Sequence, residues 1–381
     1  MPVSGDTLEE LRSYLSEYYG RVLQETGDLE YNACCVDSTL SRYSEIAELI
    51  PREVKNRNYG CGCCIPDDDL SGLKVLDLGS GAGLDCFILS RLTGEQGAVH
   101  GIDMTDEQLD VARRNTGEVM AAYWYSHSNV FFHKGFIETL DEIDDASIDL
   151  VVSDCVINLS PRKDSVFSSI YRVLKPGGEF YISDIVADRR PGEKVRNDRK
   201  LHAECLAGAL YEYDLLDIIV AAGFRDPRAL SRSLVEENVA GEENRFFSLT
   251  LRGFKFEVPL DNRCEDFGQN ATYLGNCPGN EDSFYLDQNH LFSANTAQPV
   301  CRNTARMLSE TRLGKYFEVS GELEHPQRHG AGAGGNLGAG QFHRRDGRRR
   351  APHLQGVCRH RRLGPRSARQ LAHPPPDPLA H

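Results

Sequence analysis

The chain has 381 residues, more than one typical domain, with 40% hydrophobic and 26% charged residues and a net charge of −14. Twelve cysteines are many for a chain that opens without the apolar core of a signal peptide, so metal, metalloid or redox chemistry is expected rather than a disulfide framework. No apolar run reaches the roughly 18 residues of a membrane-spanning helix, and so acidic a chain is a poor match for a phosphate backbone, so neither a membrane nor a nucleic acid is an expected partner.

In chain order, residues 7–23 read as a helix with an apolar stripe at Leu8, Leu11, Leu15, Tyr18 and Val22, a cap over whatever follows. A polar segment, Asp28 to Cys35, carries the vicinal thiols Cys34 and Cys35. A short helix is expected over 39–49. A glycine-rich loop, Asn58 to Pro66, then holds Cys61, Cys63 and Cys64.

From residue 73 the pattern alternates. Strands are expected near 73–79, 98–104, 129–135, 148–156 and 178–185, with helices near 83–93, 106–124 and 162–174. Strands separated by helices in this rhythm imply a parallel sheet of βαβ units, an α/β doubly wound, Rossmann-like fold. Lys175-Pro176-Gly177-Gly178 ends a helix and admits the fifth strand. Residues 197–223 read as helical, Cys205 included, and 246–256 as a strand.

The expected division is a cap over 1–66, the doubly wound domain over 67–225, a smaller α+β subdomain over 226–326 and a tail over 327–381. In the tail eleven arginines face two aspartates and apolar periodicity vanishes, so it reads as disordered and basic, and the body as more acidic still.

The doubly wound region turns on Val75-Leu76-Asp77-Leu78-Gly79-Ser80-Gly81-Ala82-Gly83, an apolar strand running into glycines and then into an apolar helical stretch. The pattern is G-x-G-x-G, and Leu84 stands where a dinucleotide fingerprint has its third glycine, so a ligand with an adenosine but no pyrophosphate fits better. Asp103 ends the next strand, at the distance expected of a carboxylate that accepts from ribose hydroxyls. This stretch resembles motif I of the class I S-adenosylmethionine-dependent methyltransferases, and Leu174-Lys175-Pro176-Gly177-Gly178 resembles the run before their fifth strand.

The thiols point to the substrate. Cys155 lies in Ser153-Asp154-Cys155-Val156-Ile157-Asn158-Leu159, at the sheet edge where open α/β folds bind ligands. Cys61 and Cys205 lie far from it in sequence. Three thiolates from three segments suit a soft trigonal centre better than tetrahedral zinc, and trivalent arsenic is such a centre. The blocks Tyr59-Gly60-Cys61-Gly62, Leu76 to Gly81, Gly101-Ile102-Asp103-Met104-Thr105, Cys155 to Leu159 and Glu204-Cys205-Leu206-Ala207-Gly208-Ala209-Leu210 resemble the arsenite methyltransferases across residues 15–255, and 303–320 resemble part of their C-terminal subdomain.

That resemblance implies methyl transfer from S-adenosylmethionine to arsenite, or to its thiol conjugates, in arsenic detoxification. It implies that Cys61, Cys155 and Cys205 hold As(III) and that Cys34 is the N-terminal redox cysteine; Cys34 follows Asn32-Ala33 as the family's cysteine does, with Cys35 beside it. It implies Tyr59 over the sulfonium, Asp77, Gly79, Ser80 and Gly81 as the cradle, Asp103 on the ribose, Met104 on the adenine, and Ile137 and Glu138 at its edge. The transfer is expected to be in line and driven by positioning, with no catalytic metal ion. A Cys34–Cys61 disulfide would restore trivalent arsenic, and thioredoxin or glutathione would reduce it.

Cys63 and Cys64 depart from the family pattern and read either as extra arsenic traps or as small loop residues. Cys86 reads as core packing. A cytoplasmic monomer is the default. Two rival readings are a methyltransferase for an organic small molecule and a binder that sequesters zinc or arsenic.

Overall fold

The computed structural model describes residues 7–23, 28, 29, 31, 38–322 and 325. Cys34, Cys35 and the tail over 327–381 lie outside the described residues. Thr7 caps helix α1 (Leu8–Glu17): its hydroxyl accepts from the Glu10 N–H, and the Glu10 carboxylate accepts from the Thr7 N–H. A wider π-type turn over Tyr18–Val22 follows and shifts the helical register, which leaves Val22, expected on the buried stripe, 58% exposed. Two short helices, α2 (Ser38–Arg42) and α3 (Ser44–Ala47), replace the single one expected over 39–49, and α4 (Arg52–Lys55) starts after Pro51.

The central sheet has the class I methyltransferase arrangement. Strands β1 (Lys74–Leu78), β2 (Ala98–Asp103), β3 (Val130–Lys134), β4 (Ile148–Asp154) and β5 (Leu174–Ala187) lie parallel in the order β3-β2-β1-β4-β5. Helices α5 (Leu84–Thr93), α6 (Asp106–Ala122) and α7 (Lys163–Val173) make crossovers. Apolar cores on both sheet faces explain why β1 and β4 are nearly continuous runs of Val, Leu and Ile. The strand order reverses between β1 and β4, which sets the crevice at their carboxyl ends.

Beyond β5 the chain departs from expectation. Helices α8 (Glu193–Arg196) and α9 (Arg199–Ala203) stop before Cys205, and only after the short strand β6 (Leu210–Tyr211) does α10 (Glu212–Ala221) begin. Strands β7 (Arg228–Glu237) and β8 (Arg245–Phe254) then join the same sheet, antiparallel, in the order β5-β8-β7. The main sheet therefore runs well into the span expected to be a separate subdomain. Residues that follow build a second core of their own around Tyr273, Phe284, Phe292, Met307 and Phe317. It comprises β9 (Asn270–Tyr273), the hairpin β10 (Ser283–Asp287) and β11 (His290–Ser293), β12 (Ala297–Pro299), α11 (Arg302–Ser309) and β13 (Phe317–Ser320), with β12-β9-β13 forming a three-stranded sheet. Among the described residues no helix is long and apolar enough to cross a membrane.

A buried ion network fastens this part to the sheet and to the thiol loop. Glu179 of β5 accepts from Arg252 of β8 at 2.6 Å and from Arg312 Nε at 2.6 Å, and Arg312 also pairs with Asp68 at 2.5 Å. Burial opposes ionisation of Glu179, but the two guanidiniums outweigh it and hold its carboxyl below the usual carboxylate range. With its folded pKa depressed, Glu179 contributes stability at neutral pH and loses it as the pH falls through the carboxylate range. Replacing Arg312 with Met takes from buried Asp68 its arginine and leaves Glu179 with Arg252 alone, and is expected to lower the unfolding free energy by about 3–5 kcal/mol. The neighbouring pair of Lys315 with Asp69 involves a lysine side chain 52% exposed, so Lys315→Met should move it by only about 0–1 kcal/mol. Urea denaturation of both variants checks the contrast.

Candidate active site

At the carboxyl end of β1 the backbone turns through Gly79, at a φ of 71°, beneath Val156. A Cβ there would lie 2.5 Å from the Val156 Cγ2, so both the conformation and the space demand glycine. Asp103, at the end of β2, accepts from the Gly81 N–H at 2.9 Å and the Thr105 N–H at 2.8 Å, which locks the glycine turn to the neighbouring strand. The turn floors a cleft whose walls include Tyr59, Asp77, Ser80, Met104, Ile137 and Glu138. Helix α1 covers it through Leu8, Leu11 and Leu15. Arg12 lies 3.6 Å over the Phe136 ring and donates to Glu138 at 3.0 Å, and Glu138 also accepts from Ser160 at 2.7 Å. All nine residues predicted to hold the methyl donor thus line one cavity.

The cleft is electrostatically prepared for a cation. Burial drives the Asp77 carboxyl well above its ordinary value and raises Asp85 to about 6. The side chains that donate to them are weak thiol donors, Cys86 to Asp77 at 3.2 Å and Cys64 to Asp85 at 3.5 Å. Asp85 Oδ1, Ser80 Oγ and Gln108 Oε1 are buried with no hydrogen-bond partner among the described residues, and all three belong to the cleft wall. A ligand carrying positive charge near the two carboxyls and polar groups along the wall satisfies them, and S-adenosylmethionine has both.

At one end of the cleft lies Cys155, just past β4. Its φ is 57°, and that of Cys205 is 64°; two non-glycine residues in the left-handed region are strained, and such strain gathers at functional sites. Cys61, Cys155 and Cys205 are all buried in one apolar cluster with Ile185, Leu201 and Phe246. The Cys61 and Cys155 sulfurs and a carboxylate oxygen of Asp184 lie within 4.8 Å of one another. The Cys205 thiol is turned instead onto the Cys155 carbonyl, donating to it at 2.8 Å.

Hydrogen bonds explain how distant segments meet here. Asp154 Oδ1 accepts from the Cys61 N–H at 2.9 Å, so this strand-end carboxylate tethers the thiol loop. The Asn158 side chain donates to the Ile185 carbonyl at 2.7 Å and the Cys205 carbonyl at 3.2 Å, while its N–H donates to Asp184 at 3.1 Å. Gly208 passes so close that a Cβ would stand 1.9 Å from the Asn158 carbonyl oxygen, and the left-handed backbone of Cys205 interrupts the helix expected through it. Glu204 accepts from the Tyr18 hydroxyl at 2.9 Å and from the Tyr31 N–H at 2.8 Å, tying the N-terminal cap to the Cys205 turn. Lys163, buried below, donates to the Ser160 carbonyl at 2.9 Å, and burial pulls its pKa down to about 8.

Sequence reading missed Asp184, Asn158, Gln108 and Arg12. Asp184 had a signal, since it lies in the carboxyl-terminal part of β5, toward the ligand-binding edge; Asn158, Gln108 and Arg12 are ordinary helical or loop residues until the fold aims them. Cys64 and Cys86 are wholly buried in the core packed against the sheet, whereas Cys63 is only partly buried.

Comparison with known proteins agrees with this geometry. A family model described as a methyltransferase domain matches residues 69–232. The chain is similar to the arsenite methyltransferase of Aquipseudomonas alcaligenes, 43% identical over 85% of this chain and 94% of that one. It is similar to that of Homo sapiens, 38% identical over 81% of this chain and 84% of that one. It also resembles the crystal structure of an arsenic (III) S-adenosylmethionine methyltransferase from Chlamydomonas reinhardtii, with a TM-score of 0.71 and 41% identity over 77% of this chain and 99% of that chain.

The Gly208 contact is directly testable. Gly208→Ala sets a methyl group against backbone and is expected to cost about 1–3 kcal/mol. Gly117 lies inside α6, where a Cβ would meet nothing within 4 Å, and should instead gain about 0.5–1 kcal/mol as alanine. Thermal melting should therefore move down for the first variant and up for the second.

Proposed function

The chain belongs to the arsenite methyltransferase family, and we propose that Cys155, Cys205 and Cys61 are the thiolates that hold its trivalent arsenic. The activity is methyl transfer from S-adenosylmethionine to arsenite. The observation that carries the site assignment is the meeting of Cys61, Cys155 and Cys205 in one buried cluster, with Cys155 also on the wall of the donor cleft.

S-adenosylmethionine supplies a methyl carbon on a positively charged sulfur that departs as a neutral thioether. The chain's own residues bind and orient. Gly79, Ser80 and Gly81 form the cradle, with Asp103 for the ribose, Asp77 and Asp85 for the cationic end, and Tyr59, Met104, Ile137 and Glu138 along the walls. The cap helix α1 closes the cleft and excludes water. The three thiols lose their protons as three As–S bonds form. For Cys205 this ends the hydrogen bond to the Cys155 carbonyl and releases its sulfur toward the other two. Arsenic held by sulfur keeps its lone pair, and the positions of Cys155 and the cradle direct that lone pair along the cleft, which is catalysis by orientation. No general base is required, because the sulfonium carries its own leaving group, and nothing in the transfer needs a catalytic metal ion.

Methylation raises the formal oxidation state of arsenic by two. Thiols of Cys34 and Cys61 supply two electrons as they join in a disulfide, and thioredoxin or glutathione then returns both to thiols. Arsenic detoxification by a cytoplasmic monomer completes the reading; the acidic body of the chain argues against a nucleic-acid partner.

Purified protein with S-adenosylmethionine, a thiol reductant and arsenite should yield methylated arsenicals by mass spectrometry. Cys155→Ser and Cys205→Ser should each cut turnover by about a hundredfold or more, as misplacement of a reacting atom does. Undiminished turnover in either variant would remove that thiol from the site. Donor binding without any methylated arsenical would favour an organic acceptor instead.

A further inference from the structure

A second cleft shares no wall residue with the donor cleft. Both of its thiols, Cys61 and Cys63, come from the glycine-rich loop, while Cys155 lines the donor cleft and not this one. Its opposite wall is the hydroxyl-bearing stretch of β7 and β8. The exposed Ser231 donates to Thr250 at 2.9 Å, Thr250 donates to the buried Ser183 at 3.4 Å, and the Ser183 hydroxyl lies 3.9 Å from the Cys61 sulfur. Ser248, also on the wall, donates to the Cys61 carbonyl at 2.9 Å. A ladder of hydroxyls thus descends from the surface to the deepest thiol.

The cations of this cleft are already matched. Arg252 is paired with Glu179, and Arg42 with Asp67 at 2.5 Å. A cleft of hydroxyls with balanced charge favours a small neutral ligand rich in hydroxyl groups over an anion, and its thiols favour a soft centre. Arsenous acid, neutral at physiological pH and bearing three hydroxyls on a thiophilic atom, is such a molecule. Cys63 is the more accessible thiol, with Cys61 two residues further along the wall and wholly buried.

We propose that the second cleft is the loading site for arsenous acid, with Cys63 the first thiol to bind it and Cys61 the thiol that receives it. The inference rests on the reading of Cys61 as an arsenic thiolate. In the first step the Cys63 S–H and one As–OH condense: an As–S bond forms, the As–O bond breaks and one water leaves with the thiol proton. In the second, the Cys61 sulfur displaces Cys63 from arsenic, and the Cys61 proton passes to the departing Cys63 sulfur. Neither step changes an oxidation state. Arsenic then reaches Cys155 and Cys205 from the side of Cys61, so loading does not require the donor cleft to empty.

The test follows arsenite loading of the full-length, fully reduced chain by stopped-flow absorbance of the As–S bonds, with and without saturating S-adenosylhomocysteine in the donor cleft. Loading of the unaltered chain should proceed at the same rate in both cases. Cys63→Ser should slow it about tenfold, at the low end of the one to three decades over which association rates vary within one site, yet reach the same final arsenic content. Ser231→Trp, which narrows the surface end of the cleft without touching a thiol, should also slow it. Loading blocked by S-adenosylhomocysteine, or a Cys63→Ser chain that loads at the unaltered rate, would overturn the proposal and leave the thiolate site standing. A chain that takes up no arsenic at all would overturn both.

Discussion

The site depends on how Asn158 joins three stretches of chain that have no local reason to meet. Its side-chain amide donates to carbonyls at the end of β5 and in the Cys205 turn, and its backbone N–H donates to Asp184. All these groups are buried, so each hydrogen bond left unmade would carry the full desolvation penalty of its partner. Gly208 is what lets the Cys205 turn come close enough. The left-handed conformations of Cys155 and Cys205 are the strain that this arrangement sustains. In such a frame it is the Cys205 sulfur that must leave its hydrogen bond when arsenic arrives.

Around that frame the molecule divides its work between two clefts. One is floored by a glycine turn and faced by buried carboxyls whose ionisation burial opposes and a bound cation would favour; the other is neutral and lined by hydroxyls. The thiol cluster stands where they approach each other. The N-terminal cap closes the first through Arg12 and Glu138 and reaches the thiols through Tyr18 and Glu204. The C-terminal part braces the second, since Arg312 grips Asp68 just past the thiol loop. Helix α1 and the C-terminal part supply no predicted arsenic ligand, yet both brace the segments on which those ligands stand.

Much of this was legible in the sequence, for physical reasons that differ by element. Parallel strands buried on both faces are apolar throughout, so β1 and β4 announced themselves, and the glycine turn and Asp103 followed from ligand geometry. Elements decided by tertiary contact were not legible. The apolar pattern around Cys205 suits a helix, and the left-handed turn at Cys205 interrupts it. Strands β7 and β8 read as strands locally, yet nothing local says which sheet they join. Asn158 looks like a loop residue until its three partners are in place. The thiols at 63 and 64 share a composition and differ only in which way the fold turns them, one toward a cleft and one into the core.

X-ray absorption at the arsenic edge of the arsenite-loaded, fully reduced protein tests the central claim most directly. Convergence of Cys61, Cys155 and Cys205 on one atom predicts three sulfur neighbours and no oxygen in the first coordination shell, falling to two sulfurs and one oxygen when Cys61 is replaced by serine. An unaltered chain whose arsenic keeps oxygen neighbours, or a shell indifferent to Cys61, would contradict it.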